Sequence, residues 1–106
     1  MISSYEHERD IIDCLSNSTY ENPMTVREIA SICGINEGND QSCSKTRILI
    51  LKAMEDFNTP VGSCYRGYYL IRSAHEMQRY LNSLLDRQVA ISNRIEIVYN
   101  AFNSRV

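Results

Sequence analysis

Between Thr25 and Gly34 the sequence marks both ends of one short helix, more sharply than anywhere else in the chain. Thr25-Val-Arg-Glu28 is a capping-box pattern, in which the threonine side chain meets the third amide and Glu28 reaches back to the cap. Val26, Ile29, Ala30 and Cys33 follow at helical spacing. Gly34 then stands where a left-handed C-terminal cap belongs. These signals predict a helix over Val26–Cys33.

The flanks follow from this landmark. Tyr5–Leu15 carries Tyr5, Ile11, Ile12, Cys14 and Leu15 behind Ser3 and Ser4 as caps, with acids in its first turn that suit the helix dipole. It reads as a first helix, and Ser16–Pro23 as a loop of turn formers. Beyond Gly34, Ile35–Asn39 is a polar turn, and Asp40 or Ser42 can cap a third helix that runs to about Phe57. On a helical wheel, Ile50, Met54, Leu51 and Ile48 share an arc of about 160° and form the expected core face. Gln41, Ser42, Lys45, Thr46, Leu49 and Lys52 form the expected outward face. Arg47 falls inside the apolar arc, which argues against base reading by it. It would snorkel outward or pair with an acid such as Glu28.

Asn58-Thr-Pro60 stops the third helix, and Val61–Ile71 is rich in strand formers punctuated by Gly62 and Gly67. A β-hairpin turning near Tyr65-Arg66-Gly67 is predicted, with Arg66 at its tip. Ser73 caps a last helix that runs without Pro or Gly to about Phe102, roughly 45 Å long at about 1.5 Å per residue. The order is helix, short helix, tight turn, longer helix, hairpin, the plan of a winged helix-turn-helix. The expected class is mainly α with a small β-hairpin wing (α+β), with residues 1–72 as the winged domain and 73–106 as a long C-terminal helix.

The stretch Lys45-Thr-Arg-Ile-Leu-Ile-Leu-Lys-Ala-Met-Glu-Asp-Phe-Asn-Thr-Pro-Val-Gly-Ser-Cys-Tyr-Arg-Gly-Tyr-Tyr-Leu resembles winged-helix DNA-binding domains of the biotin-repressor type. Pro60, Val61, Ser63, Gly67, Tyr68 and Leu70 match the wing pattern of that family, and Asn58 departs from it where the family often has Gly. The long Arg-dotted helix that follows is similar to that of small winged-helix proteins of bacteriophages and prophages. The resemblance covers about residues 10–72 and implies a winged-helix fold and a DNA-binding role.

Charge is distributed to suit such a role. Residues 1–40 carry eight acids against Arg9 and Arg27, a balance of −6, and residues 41–106 carry nine Lys or Arg against five acids, a balance of +4. This asymmetry permits a basic face on an acidic body, and it is equally compatible with ordinary solvated charge. In the DNA reading, Gln41, Ser42, Lys45 and Thr46 meet base edges in the major groove, while Lys52 and Arg66 reach phosphates. The expected function is sequence-specific binding of double-stranded DNA, as a transcriptional or replication regulator of a phage or mobile element. The alternative is a winged-helix adaptor or inhibitor that binds a protein through its acidic half.

The last helix carries a second signal. Met77, Leu81, Leu84, Gln88, Ile91, Ile95, Val98 and Phe102 alternate steps of 4 and 3, a heptad seam with one polar break. A body of about 70 residues cannot cover a seam about 45 Å long, so its distal half is expected to lie in a homodimer interface formed by Leu84, Gln88, Ile91, Ile95, Val98 and Phe102. The other possibility is that the helix folds back along the first helix. Gln88 would set register between paired chains.

Other classes find less support. No apolar run reaches the roughly 18 residues of a membrane span, and Met1–Arg9 is too polar and acidic for a signal peptide, so the chain is read as cytoplasmic. Cys14, Cys33, Cys43 and Cys64 show no C-x-x-C pair and no zinc-finger partners, so reduced, packed thiols are expected and no metal. Cys43, beside Lys45 and Arg47, has either a redox-sensing or a packing role open to it. Nucleotide-binding and hydrolase motifs are missing, and nothing is arranged around His7 or His75, so no enzyme and no cofactor are expected.

Overall fold

The computed structural model describes residues 4–105, so the expected cap at Ser3 lies outside the described residues. The chain divides into two compact units, Met1–Arg72 and Ser73–Val106. The first holds α1 (Ser4–Leu15), α2 (Val26–Ile32), α3 (Ser44–Phe57) and an antiparallel hairpin of β1 (Val61–Cys64) and β2 (Gly67–Leu70). The second holds α4 (Ala74–Asn103). The fold is α+β: mainly helical, with one small hairpin and a long C-terminal helix.

Local chemistry accounts for α2. The Thr25 hydroxyl accepts the Glu28 amide at 3.1 Å, and Glu28 Oε1 accepts the Thr25 amide at 3.0 Å. These bonds to the ionised form hold the Glu28 carboxyl below its ordinary value. The helix ends at Ile32, one residue before the expected stop, with Cys33 as C-cap. Gly34, at φ +67°, turns the chain so that the Ile35 amide reaches back to the Ala30 carbonyl at 2.9 Å.

The core of the first unit is built from Ile11 and Leu15 of α1, Ile29 and Ala30 of α2, Leu49, Ile50 and Ala53 of α3, and Val61 of β1. Fully burying an isoleucine or leucine contributes about 1.5–3 kcal/mol, so these contacts outweigh the propensity of helices this short. All four cysteines are free thiols. Burial pushes the Cys14 thiol up, and burial reinforced by Cys14 pushes Cys33 up to about 12, which leaves both as packing groups rather than nucleophiles. Glu8 is the exception in this interior. It is 1% exposed and its Oε1 has no hydrogen-bond partner. Burial, with the carboxyl of Asp56 alongside, pushes its pKa upward despite Lys52 nearby.

The hairpin turns through Tyr65-Arg66, with Val61 opposite Leu70 and Cys64 opposite Gly67. Its second strand is flanked by the α1–α2 loop, where Met24 and Tyr68 exchange backbone hydrogen bonds of 2.8 and 2.7 Å. Gly67, at φ +140°, is demanded by this approach, because a Cβ there would run into the Met24 carbonyl. The same loop is held by Ser18 Oγ, which accepts the Leu70 amide at 3.0 Å, and by Arg72 Nη2, which donates to the Ser16 and Ser18 carbonyls at 2.6 and 2.9 Å.

Candidate nucleic-acid interface

The entry to α3 is where the sequence reading needs most correction. The helix begins at Ser44, so Gln41 and Ser42 lie in the preceding loop rather than on a helical face. Cys43 occupies the N-cap position in a left-handed conformation at φ 56°, with no side-chain cap bond. Ser42 does not cap the helix; Asp40, although not at the N-cap position, serves a free amide with its carboxylate, and Glu37 serves two more. Asp40 Oδ2 accepts from the Ser44 amide at 3.2 Å, and its Oδ1 accepts from the Ser42 amide and hydroxyl at 3.0 and 2.6 Å. Glu37 Oε1 accepts from the Lys45 amide at 3.2 Å, and its Oε2 from the Thr46 amide at 2.6 Å and from the Thr46 hydroxyl. The bonds from Ser42 and Ser44 lower the Asp40 carboxyl to about 2. The positive end of the helix is thus already met by the protein's own acids.

Thr46 is a second correction. It is 0% exposed and bonded to Glu37, so it is a core residue and cannot meet a base. The buried arc of α3 is Thr46, Leu49, Ile50 and Ala53. Leu49, expected outside, is therefore inside, while Ile48 and Leu51, expected inside, are each 64% exposed. Four consecutive apolar residues, Ile48 to Leu51, leave the wheel ambiguous, and the Glu37–Thr46 bond resolves it by drawing Thr46 inward. The rotation carries Arg47 out of the apolar arc and onto the surface. Its partner is not Glu28: Arg47 Nε donates to the Ser42 carbonyl at 2.7 Å and Nη1 to the Tyr68 hydroxyl at 3.0 Å. Arg47 thereby ties the start of α3 to β2, a role no local pattern announces.

Lys45 and Lys52 are exposed on α3, as expected. Gln41 is exposed in its loop, with its carbonyl accepting from Arg27 Nη2 at 3.5 Å, while the Ser42 hydroxyl is engaged by Asp40. Arg66 stands in the hairpin turn, but its guanidinium folds back, donating to the Tyr20 carbonyl at 2.8 Å and the Glu21 carbonyl at 3.1 Å. It also lies 5.6 Å from the centre of the Tyr20 ring. Arg66 stays exposed while its guanidinium clamps the α1–α2 loop, and Tyr65 beside it at the tip is 96% exposed. The exposed face of α3 thus presents Lys45, Arg47 and Lys52 around Ile48 and Leu51, followed in the last turn by the exposed acids Glu55 and Asp56.

In α4 the cap is as expected, Ser73 Oγ accepting the Glu76 amide at 3.1 Å. No residue of this helix is buried. The seam residues Leu84, Gln88, Ile91, Ile95, Val98 and Phe102 are all exposed. Among the described residues, no cluster of His, Cys, Asp and Glu could hold a metal ion, and no helix is long and apolar enough to cross a membrane. Searches of protein-family models, curated proteins and solved structures return no match.

Proposed function

We propose that this chain is a winged-helix protein that binds double-stranded DNA through the exposed face of α3, and that it acts as a dimer joined through α4. The observation that carries the reading is the charge of that face. Lys45, Arg47 and Lys52 are exposed there, the acids of the helix, Glu55 and Asp56, are confined to its last turn, and the nearby carboxylates of Glu37 and Asp40 are engaged by backbone amides. Cations so placed neutralise phosphates, and the exposed Ile48 between them offers an apolar contact of the kind a thymine methyl accepts. The resemblance to phage winged helices supports a role in controlling transcription or replication. A dimer would bring two such faces to two half-sites, raising affinity without new contacts within either copy.

The test is fluorescence anisotropy with labelled duplex DNA across a salt titration. Binding that falls linearly on a log–log plot is expected, and Lys45→Ala and Lys52→Ala should each reduce the slope by about one. Absence of duplex binding at low salt overturns the proposal. The second reading, docking of a protein partner, is favoured by Ile48 and Leu51, each 64% exposed on the same face. In that case Ile48→Asp abolishes capture of the partner while the lysine variants change little.

A further inference from the structure

Resting on the α4 pairing proposed above, we infer that the occupant of the seam is a second copy of this chain in parallel, in-register orientation, with the two Ala74 ends together. Two independent features of α4 select that orientation. The first is the single polar seam position. Along the seam, Leu81, Gln88, Ile95 and Phe102 form one alternating set, and Met77, Leu84, Ile91 and Val98 the other. In a parallel, in-register pair like sets meet, and Gln88 faces Gln88 of the second copy, where the two amides satisfy each other. In an antiparallel pair each set meets the other, so Gln88 faces an apolar side chain and its amide is buried without a partner. A slip of one heptad has the same fault, placing Gln88 against Leu81 or Ile95.

The second feature is the charge beside the seam. Arg87 and Arg94 each precede a seam position on one flank, and the other flank presents Leu85, Ser92 and Tyr99. The acids of α4, Glu76, Asp86 and Glu96, lie off both flanks. Antiparallel pairing sets like flanks side by side and brings the arginines of one helix against those of the other. Parallel pairing sets the arginine flank against the uncharged one and avoids that repulsion. The apolar surface for the contact is present: Leu85, Ile91, Ile95, Val98 and Phe102 are each more than half exposed along α4.

Light scattering and directed disulfide formation in the full chain test the pairing and its direction separately. At high micromolar concentration the wild type should have twice the 12.2 kDa chain mass. Leu81→Cys, oxidised and mapped by peptide mass, should give a dominant link between the introduced thiols of the two copies. A mixture of Leu81→Cys and Val98→Cys proteins should give no heterodisulfide between the two introduced thiols above background. A dimer that yields the heterodisulfide overturns the parallel orientation and leaves the pairing itself standing. A monomeric or tetrameric mass overturns both. Gln88→Leu should preserve the dimer and raise the heterodisulfide above background, because it removes the seam position that disfavours the antiparallel form and leaves only the arginine flank to oppose it.

Discussion

The unit Met1–Arg72 and the helix α4 treat the same residue type in opposite ways. Ile11, Ile29 and Ile50 are at most 1% exposed in the first, while Ile91, Ile95 and Ile97 of α4 are each over 60% exposed. Both regions are amphipathic, and both have a well-made helix start, at Thr25 and Ser73. The difference is that the first unit supplies its own opposing faces, from three helices and a hairpin, whereas α4 is a single helix. Capping determines where a helix begins; it does not determine what covers its apolar side.

The largest test of this contrast removes one isoleucine from each region. Ile50→Ala should lower the stability of the first unit by about 2–5 kcal/mol in urea unfolding followed by circular dichroism. Ile91→Ala should leave that transition unchanged in dilute protein, where α4 is unpaired. Equal losses at the two sites would break the contrast. Gly67→Ala comes next, because it places a side chain at φ +140° and against the Met24 carbonyl. The left-handed strain alone costs about 1–2 kcal/mol, and the contact adds to it. The expected signature is a lowered midpoint together with faster amide exchange at Met24 and Tyr68.

The smallest effect belongs to Glu8. Its folded pKa is raised by burial and by Asp56, so the fold favours the neutral carboxyl. The stability it contributes is complete below the ordinary value of 4.5 and is lost as pH rises through the raised value. Glu8→Gln should therefore be more stable than the wild type at neutral pH, with the gain vanishing in acid. A variant no more stable at neutral pH would show that the buried charge is already compensated, and would sharpen the comparison by making the first unit fully satisfied.

Features governed by neighbours in the chain were legible in the sequence. The Thr25–Glu28 box, the Gly34 turn, the Ser73 cap and the Tyr65-Arg66 turn all rest on contacts within five residues, and the structure has each of them. The orientation of α3 was not legible, because it depends on Glu37 reaching Thr46 nine positions away. Nor was the fate of Arg66, whose partners Tyr20 and Glu21 are 46 and 45 positions distant. A tip arginine looks free until the loop that holds it is in place. At the candidate interface Lys45 and Lys52 are exposed as expected, whereas Thr46 is buried and Arg66, though exposed at the turn, has its guanidinium held by the Tyr20 and Glu21 carbonyls. Arg47, expected to snorkel or to pair with Glu28, instead donates to the Ser42 carbonyl and the Tyr68 hydroxyl, and Tyr68 is 21 positions away on another element.

The bonds that join the α1–α2 loop to the hairpin also bear on how the chain reaches this state. Met24 to Tyr68, Ser18 to Leu70 and Arg72 to Ser16 and Ser18 connect residues 44 to 56 positions apart. Closing loops of that size sacrifices chain entropy before any contact rewards it, so they should be among the last links to form. During synthesis, helices α1 to α3 can assemble while the hairpin is still being made. The partial chain then exposes the Met24 backbone as an unpaired edge. Only emergence of residue 72 from the ribosome lets the far end of the unit seal its beginning.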